Sequence, residues 1–370
     1  MNNYKSWIEI SKKSLIGNLN ILRKSVSNKV KILSVVKSNA YGHGLREIVQ
    51  LLRNKTDWFG VDNIDEAINI RLLGIRKPIL ILGYVPKERL RDIVKYDVSI
   101  ALYNRETLDN ISSQKLKKPI RLHLKIETGM NRQGILTNDL KEFANKLKLN
   151  KNKYLLEGIY THFSDTDNID FIEHQFKKFQ EAVRILKGNG FKNLIKHCAA
   201  SAGIVTNSRY HLDMVRAGIG LYGYWPSKEI GKRAGKLKVT PVLAWRSSIA
   251  QIKYIKKGEF VGYGRAWIAK KKSKIAIIPS GYFDGFDRGF SNNGSVLVRG
   301  QFANIIGRVA MNMFMIDITG IGNMRIGDEV VLIGKQGRNT ISADDLAHRI
   351  DTIPHEVLAR INPLLPRMVV

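Results

Sequence analysis

From about residue 30 to residue 222 the chain alternates short apolar runs with amphipathic stretches, the mark of a parallel sheet whose strands are joined by crossover helices. Eight runs are candidate strands: residues 30–36, 58–61, 79–82, 98–102, 120–126, 156–161, 195–198 and 214–215. Between them, segments such as 45–52 and 171–186 place apolar residues at three- and four-residue steps, which predicts helices. Eight such units argue for a β/α barrel. An open doubly wound sheet satisfies the same periodicity, because periodicity does not report closure. Beyond about Lys236 the pattern turns β-rich, with runs at 242–249, 274–278, 295–298, 304–318 and 329–333 separated by glycines. The expected division is therefore residues 1–235 and residues 236–370, an α/β chain built as a (β/α)8 TIM-type barrel followed by a smaller, mostly-β C-terminal domain. Near the end, Ser342 precedes Ala343, Asp344 and Asp345 and predicts an N-capped helix with acidic residues in its first turn.

Composition narrows the class. A chain of 370 residues, 44% hydrophobic and 25% charged, can bury one large core and a second smaller one. No apolar run reaches about 18 residues, and the first ten residues lack the apolar stretch of a signal peptide, so a cytoplasmic protein without a membrane segment is expected. The single cysteine, Cys198, excludes intrachain disulfides and a thiolate metal cluster, and no metal site is expected. The formal charge of +29 is the main anomaly. Its basic residues are spread from end to end without a nucleic-acid-binding motif, so a lysine-enriched solvated surface is expected rather than a specific nucleic-acid partner.

Candidate chemistry collects at the ends of the strand runs. Lys37 closes the first run and is followed by Ser38-Asn39-Ala40-Tyr41-Gly42-His43-Gly44, a small polar turn. A lysine desolvated in such a place loses its proton more readily and can form a Schiff base with a carbonyl group, although a strand-end lysine reaching out to water is the ordinary alternative. Lys125 and Arg132 follow the fifth run, His162 the sixth, Ser201 the seventh, and Arg216-Ala217-Gly218-Ile219 the eighth. Barrel active sites lie at these ends, often with phosphate held after strands seven and eight. Gly218-Ile219-Gly220-Leu221-Tyr222-Gly223 also matches a dinucleotide fingerprint. The following Tyr224-Trp225-Pro226 does not open a helix and no acidic residue stands about twenty positions on, so the match is read as chance.

The string from Lys37 to Gly44 resembles the cofactor-lysine motif of bacterial alanine racemases, which bind pyridoxal 5'-phosphate (PLP) through that lysine. The resemblance extends over nearly the whole chain. His123-Leu124-Lys125-Ile126-Glu127-Thr128-Gly129-Met130-Asn131-Arg132 is similar to the segment whose lysine is often carbamylated and steadies a substrate-binding arginine. Gly158-Ile159-Tyr160-Thr161-His162-Phe163 and Asp213-Met214-Val215-Arg216-Ala217-Gly218-Ile219 resemble the segments of the histidine and of the arginine that faces the pyridine nitrogen. Val261-Gly262-Tyr263-Gly264 resembles the catalytic-tyrosine motif. The stretches from Gly281 through Tyr282 to Arg288, and from Gly307 through Met311 to Asn312, resemble an inner gate and a substrate-carboxylate segment.

The resemblance implies interconversion of L- and D-alanine, with Lys37 and Tyr263 as the two bases, assisted by His162 and Arg216, and D-alanine supplied for peptidoglycan. It also implies PLP bound by Lys37, Tyr41, Ser201, Arg216, Gly218, Ile219 and His355. Substrate would be bound by Arg132, Met311, Tyr282 and Asn312, with a carbamate on Lys125. A head-to-tail homodimer sharing its active sites between chains completes the picture. The chain departs from the family at several points. Asn312 stands for a usual aspartate, His355 for a usual tyrosine, Ala200 for an asparagine, Ala310 for a frequent cysteine and Gly262 for a frequent serine. A broader racemase acting on serine or larger amino acids, and a non-catalytic PLP carrier, are the alternatives.

Overall fold

The computed structural model describes residues 3–150 and 152–370 and divides into two compact units. One comprises Leu15–Ala40 and Ile48–Thr240. The other comprises the chain up to Ser14, Tyr41–Glu47 and Pro241–Val370.

The first unit is the barrel. Its strands are Lys31–Val35, Trp58–Val61, Ile79–Ile81, Ser99–Leu102, Ile120–Lys125, Tyr154–Tyr160, Ile195–His197 and Met214–Ala217, and from the first to the seventh each pairs in parallel with the next. The eighth strand returns to the first in parallel register, Ile32 opposite Val215. The seventh and eighth meet through Asp213 N–H to Lys196 O at 3.0 Å and Arg216 N–H to Ala199 O at 3.0 Å. The open doubly wound arrangement is thereby excluded. All eight runs read from the apolar pattern become strands, and they carry fully buried apolar residues, among them Ile32, Phe59, Leu80, Leu122 and Leu124. Burying a side chain of this size contributes roughly 1.5–3 kcal/mol.

Helices start where a side chain can take up an orphan amide. Asn63 accepts from Glu66 N, Asn104 from Thr107 N and Asn168 from Phe171 N, each near 3.0 Å. The predicted helix at 171–186 runs Ile169–Gly188, and the one at 45–52 is Leu45–Leu52.

The second unit is a ten-stranded, largely antiparallel sheet with two short helices, Ala343–Arg349 and Pro354–Ala359. The predicted cap at Ser342 forms in full: its hydroxyl accepts from Asp345 N and its own N–H donates to the Asp345 carboxylate. Two expectations are corrected. The run 304–318 is two strands, Gln301–Ile306 and Phe314–Asp317, because Gly307 turns the chain at φ 71° where a Cβ would stand 2.7 Å from Val261 O. The first strand of the chain, Ser6–Ile10, was not anticipated and lies between Leu243–Ser248 and Arg367–Val369. Only long-range pairing reveals it, since five residues with mixed polarity carry no periodic signal. An aromatic cluster of Trp245, Phe286, Phe290 and Phe314 fills the core. Among the described residues no helix is long and apolar enough to cross a membrane.

Candidate active site

Lys37 follows the first barrel strand and begins an unusual turn: Ser38, Asn39, Ala40 and Tyr41 all have φ between 53° and 55°. Four successive non-glycine residues in the left-handed region cost about 1–2 kcal/mol each, so the turn must be held from outside. Glu66 holds it. Its carboxylate accepts from Asn39 N–H at 3.3 Å and from Asp62 N–H at 2.8 Å, and it also takes the Ser38 amide. Lys37 itself is not desolvated within this chain. Its side chain is 40% exposed, and Nζ lies 3.7 Å from Asp62 Oδ1.

The other barrel candidates sit at the same strand ends, around Arg216. This guanidinium is 3% exposed and is held by acceptors on every side. Nη1 donates to His197 Nδ1 at 2.9 Å and to His197 O at 3.3 Å; Nη2 donates to Thr161 O, Cys198 O and His162 Nδ1 at 2.8, 2.9 and 3.0 Å. None of these bonds uses Nε. Because arginine only donates, His162 Nδ1 must carry a lone pair, which puts the ring proton of neutral His162 on Nε2. Burial, then the neighbouring Arg216, Arg132, Lys125 and Lys37, hold His162 well below its ordinary pKa and therefore neutral.

Lys125 is 5% exposed, with Nζ 3.3 Å from Gln133 Oε1 and above the Tyr160 ring. Burial, reinforced by Arg132 and Arg216, brings its pKa down to about 8. Arg132 is exposed on the loop that follows. That loop is shaped by Glu127, whose carboxylate accepts from the Gly129 and Met130 amides at 2.6 and 2.7 Å. Cys198 is packing: it is fully buried, burial raises the thiol to about 12, and Sγ lies 3.1 Å from Tyr210 O.

Ser201 opens the short helix Ser201–Thr206, and Gly218 and Ile219 follow the eighth strand. The cradle expected from Ser201, Gly218 and Ile219 is closed upon itself. Ser201 Oγ accepts from Gly218 N at 3.0 Å and from Gly220 N at 3.1 Å, so the Gly218 amide is engaged and Gly220 is an unanticipated member. Residues Ile219–Tyr222 form a 3-10 turn, not the helix start that the rejected dinucleotide reading would need.

In the second unit, the rings of Tyr41 and His355 meet at a tilt of 49° with centroids 6.0 Å apart, and burial pushes the Tyr41 hydroxyl up to about 12. Arg367 ties the turn after Tyr41 by donating to Gly42 O at 2.8 and 3.1 Å. Tyr282, Met311 and Asn312 are brought together by backbone bonds from Tyr282 N–H to Ala310 O and from Phe283 N–H to Met311 O, at 3.1 and 2.9 Å. Gly281 allows this approach, since a Cβ there would stand 2.3 Å from Ala310 O. Tyr263 lies on a neighbouring loop whose Gly264 packs against the Arg308 guanidinium, and its side chain is 76% exposed. At Gly262, φ is 75° and a Cβ would meet Met315 Cε at 2.9 Å, which accounts for glycine in place of serine.

The sequence reading missed Glu66, Gln133 and His197, and gave His123 no role. His123 and His197 did leave a signal, as polar residues inside otherwise apolar strand runs.

A closed parallel barrel with its charged side chains gathered at the carboxyl ends of the strands, joined in one chain to an antiparallel β unit, defines a two-domain barrel enzyme. Models of the alanine racemase N-terminal and C-terminal domains match residues 10–226 and 242–369. The chain is 38% identical over 366 residues to an alanine racemase of Caldanaerobacter subterraneus, covering 98% of this chain and 94% of the relative. It is 40% identical over 379 residues to an alanine racemase of Leptospira interrogans, covering 99% and 96%. Among solved structures, the alanine racemase of Bacillus anthracis with bound L-Ala-P matches with a TM-score of 0.95 at 30% identity, covering 100% of this chain and 96% of that one. The enzyme of Clostridium difficile gives 0.92 at 33%, covering 100% and 97%. This chain belongs to the alanine racemase family, and it is an isomerase that racemises alanine.

Proposed function

We propose that the chain interconverts L- and D-alanine by a two-base mechanism with PLP. The observation that supports this reading is an excess of positive charge at the barrel's carboxyl end. Lys37, Lys125, Arg132 and Arg216 are all close enough to act electrostatically on His162, and the acids near them are Asp62 beside Lys37, Glu66 on the turn that Lys37 opens, and Glu127 beside Lys125. Such a surplus suits an anionic cofactor and a substrate carboxylate. The donor set fits PLP in detail, because Arg216 Nε is left over after the other four N–H groups are bonded and can meet a ring nitrogen.

Lys37 would hold the cofactor, Arg216 its ring nitrogen, and Ser201, Tyr41, Gly218, Ile219 and His355 its phosphate. For Gly218 this requires Ser201 to turn away from its amide. When bound, PLP supplies the electron sink that makes the Cα proton of alanine removable. Lys37 Nζ takes or returns that proton on one face and Tyr263 Oη on the other. His162, with Nε2–H fixed by Arg216, serves Tyr263 as a neutral hydrogen-bonding partner. Arg132 binds the substrate carboxylate. Lys125, whose lowered pKa leaves part of it as free amine near neutral pH, is suited to carbamylation, and the resulting anion would steady Arg132. Tyr282 would stand at the inner gate, and Met311 and Asn312 would meet the substrate carboxylate.

The exposure of Tyr263, Tyr282 and Met311 supports a homodimer in which the second unit of one chain completes the barrel site of the other. The enzyme would be cytoplasmic and supply D-alanine for peptidoglycan. Incubation with PLP and L-alanine in deuterium oxide, followed by NMR, tests the mechanism. D-alanine with Cα exchange in the wild type, nearly lost in Lys37→Ala and Tyr263→Phe, supports two bases. Exchange without D-alanine leaves one working face. No exchange with alanine, but exchange with serine or larger amino acids, would move the substrate; none at all would leave a PLP carrier.

A further inference from the structure

Arg216 is a buried cation with no carboxylate among its hydrogen-bond partners, which are three carbonyls and two imidazoles. An unpaired buried charge is costly, and a line of polar side chains runs from this guanidinium to a carboxylate. His197 Nε2 lies 2.9 Å from His123 Nδ1, and His123 Nε2 lies 3.3 Å from Glu157 Oε2. Each proton position follows from the one before. Arg216 donates, so His197 Nδ1 accepts and its Nε2 bears the proton; that proton goes to His123 Nδ1, which leaves the His123 proton on Nε2, 3.3 Å from Glu157 Oε2 but without a hydrogen bond's alignment, so the last step is an electrostatic contact.

Every neighbouring group suits this order. Both imidazoles are fully buried, and burial with Arg216 nearby keeps His197 well below its ordinary pKa; burial also lowers His123, with Glu157 pulling the other way. Burial raises the Glu157 carboxyl, but the nearby His123, the Ser99 hydrogen bond and Arg121 outweigh it and hold its pKa below the ordinary value. Ser99 Oγ donates to Glu157 Oε2 at 2.6 Å, while Arg121, at 3.8 Å, is chiefly paired with Asp97 at 2.8 Å. Trp58 edges the His123 ring, and Tyr160 stacks flat on His197 with centroids 4.8 Å apart. Gly158 makes the room, for a Cβ there would lie 2.4 Å from His123 Nδ1.

We propose that Glu157 is a positioning residue for Arg216, its carboxylate serving as the remote counter-charge of the guanidinium through the one-way chain His123 to His197. The inference rests on the reading of Arg216 as the partner of the cofactor's ring nitrogen. The chain locks the guanidinium plane, leaves Nε free, and strengthens His197 Nδ1 as an acceptor, because polarised hydrogen bonds reinforce one another. Glu157 touches neither substrate nor cofactor.

The test is long-range 1H–15N correlation NMR on histidine-labelled full-length protein, with and without PLP, beside alanine kinetics of Glu157→Gln and Glu157→Asp. Wild type is expected to show His123 and His197 as neutral Nε2–H tautomers. Glu157→Gln should shift the Nδ1 resonance of His197, two side chains away, and lower kcat by about tenfold to a hundredfold, as loss of outer-shell partners does, with KM changed less than about twofold. Glu157→Asp should restore part of both. Should Glu157→Gln fail to fold, Ser99→Ala perturbs the same carboxylate oxygen without removing its charge and should still move the His123 and His197 signals. A proton on His197 Nδ1 in the wild type, or unchanged His197 signals and kcat in Glu157→Gln, would overturn the proposal. The tautomers are read without cofactor or turnover. Wild-type protein with the expected tautomers but no racemisation would therefore sink the functional reading and leave the charge relay standing.

Discussion

Three candidate residues of the barrel unit and three of the β unit are prepared in opposite ways. Arg216, His162 and Lys125 are enclosed, hydrogen-bonded and electrostatically perturbed, so their geometry is fixed before anything binds. Tyr263, Tyr282 and Met311 stand in solvent, and what is fixed is the backbone beneath them: loops clamped by amide-to-carbonyl bonds and by glycines in close approach. A preorganised electrostatic site has to be buried, since water would otherwise screen it. Residues meant to meet a second surface have to be exposed, and only their carriers can be made rigid. The same contrast separates residues whose loss should harm the fold from residues whose loss should harm only the reaction.

Arg216→Ala breaks the barrel side most severely. It strands His162 Nδ1, His197 Nδ1 and the carbonyls of Thr161 and Cys198 without a donor, and a stability loss of at least about 3 kcal/mol is expected by denaturant unfolding, together with loss of activity. Tyr263→Phe is its counterpart on the β side. Exposure of the side chain predicts a stability change within about 0.5 kcal/mol. Racemisation should nonetheless fall by about 10²–10⁴-fold, the range of a lost general acid or base. Equal destabilisation by the two substitutions would erase the contrast.

Lys125 sharpens the comparison through pH. Its pKa falls from 10.5 in the unfolded chain to about 8 in the fold, so between those values the unfolded state holds more protons. Stability contributed by this group should therefore rise as pH increases from about 8 to 10.5 and be flat below that window. Unfolding of the non-carbamylated protein across this range, beside Lys125→Met, checks it: the variant should lose the upward slope. The smallest effect is expected from Glu66→Gln, which weakens charge-assisted bonds to the amides of the left-handed turn after Lys37. A loss of about 1–2 kcal/mol is predicted by the shift of the urea midpoint, with weaker PLP retention measured by absorbance.

Much of the fold was legible because its governing signals are local. Apolar runs at strand length, amphipathic spacing between them, and the serine-to-aspartate cap at Ser342 need no distant partner to be recognised. The strand Ser6–Ile10 was not, since its pairing to Leu243–Ser248 joins residues more than two hundred positions apart. The break in 304–318 was missed for a similar reason: Gly307 turns there against Val261, which the sequence does not place beside it. For the site, the positions of Lys37, Lys125, His162, Ser201 and Arg216 at strand ends followed from the pattern of runs. Their states did not. Lys37 proves half-exposed rather than desolvated, and the Gly218 amide is engaged by Ser201.

The sequence by itself thus determined which elements form and which residue types stand at their ends, because periodicity, capping and turn chemistry act over a few residues. Tertiary structure alone decided closure of the barrel, the joining of Ser6–Ile10 to the β unit, and the alignment of Arg216, His197, His123 and Glu157 into one line. Those four residues come from four different strands, and hydrogen-bond direction and desolvation are set by what is adjacent in space.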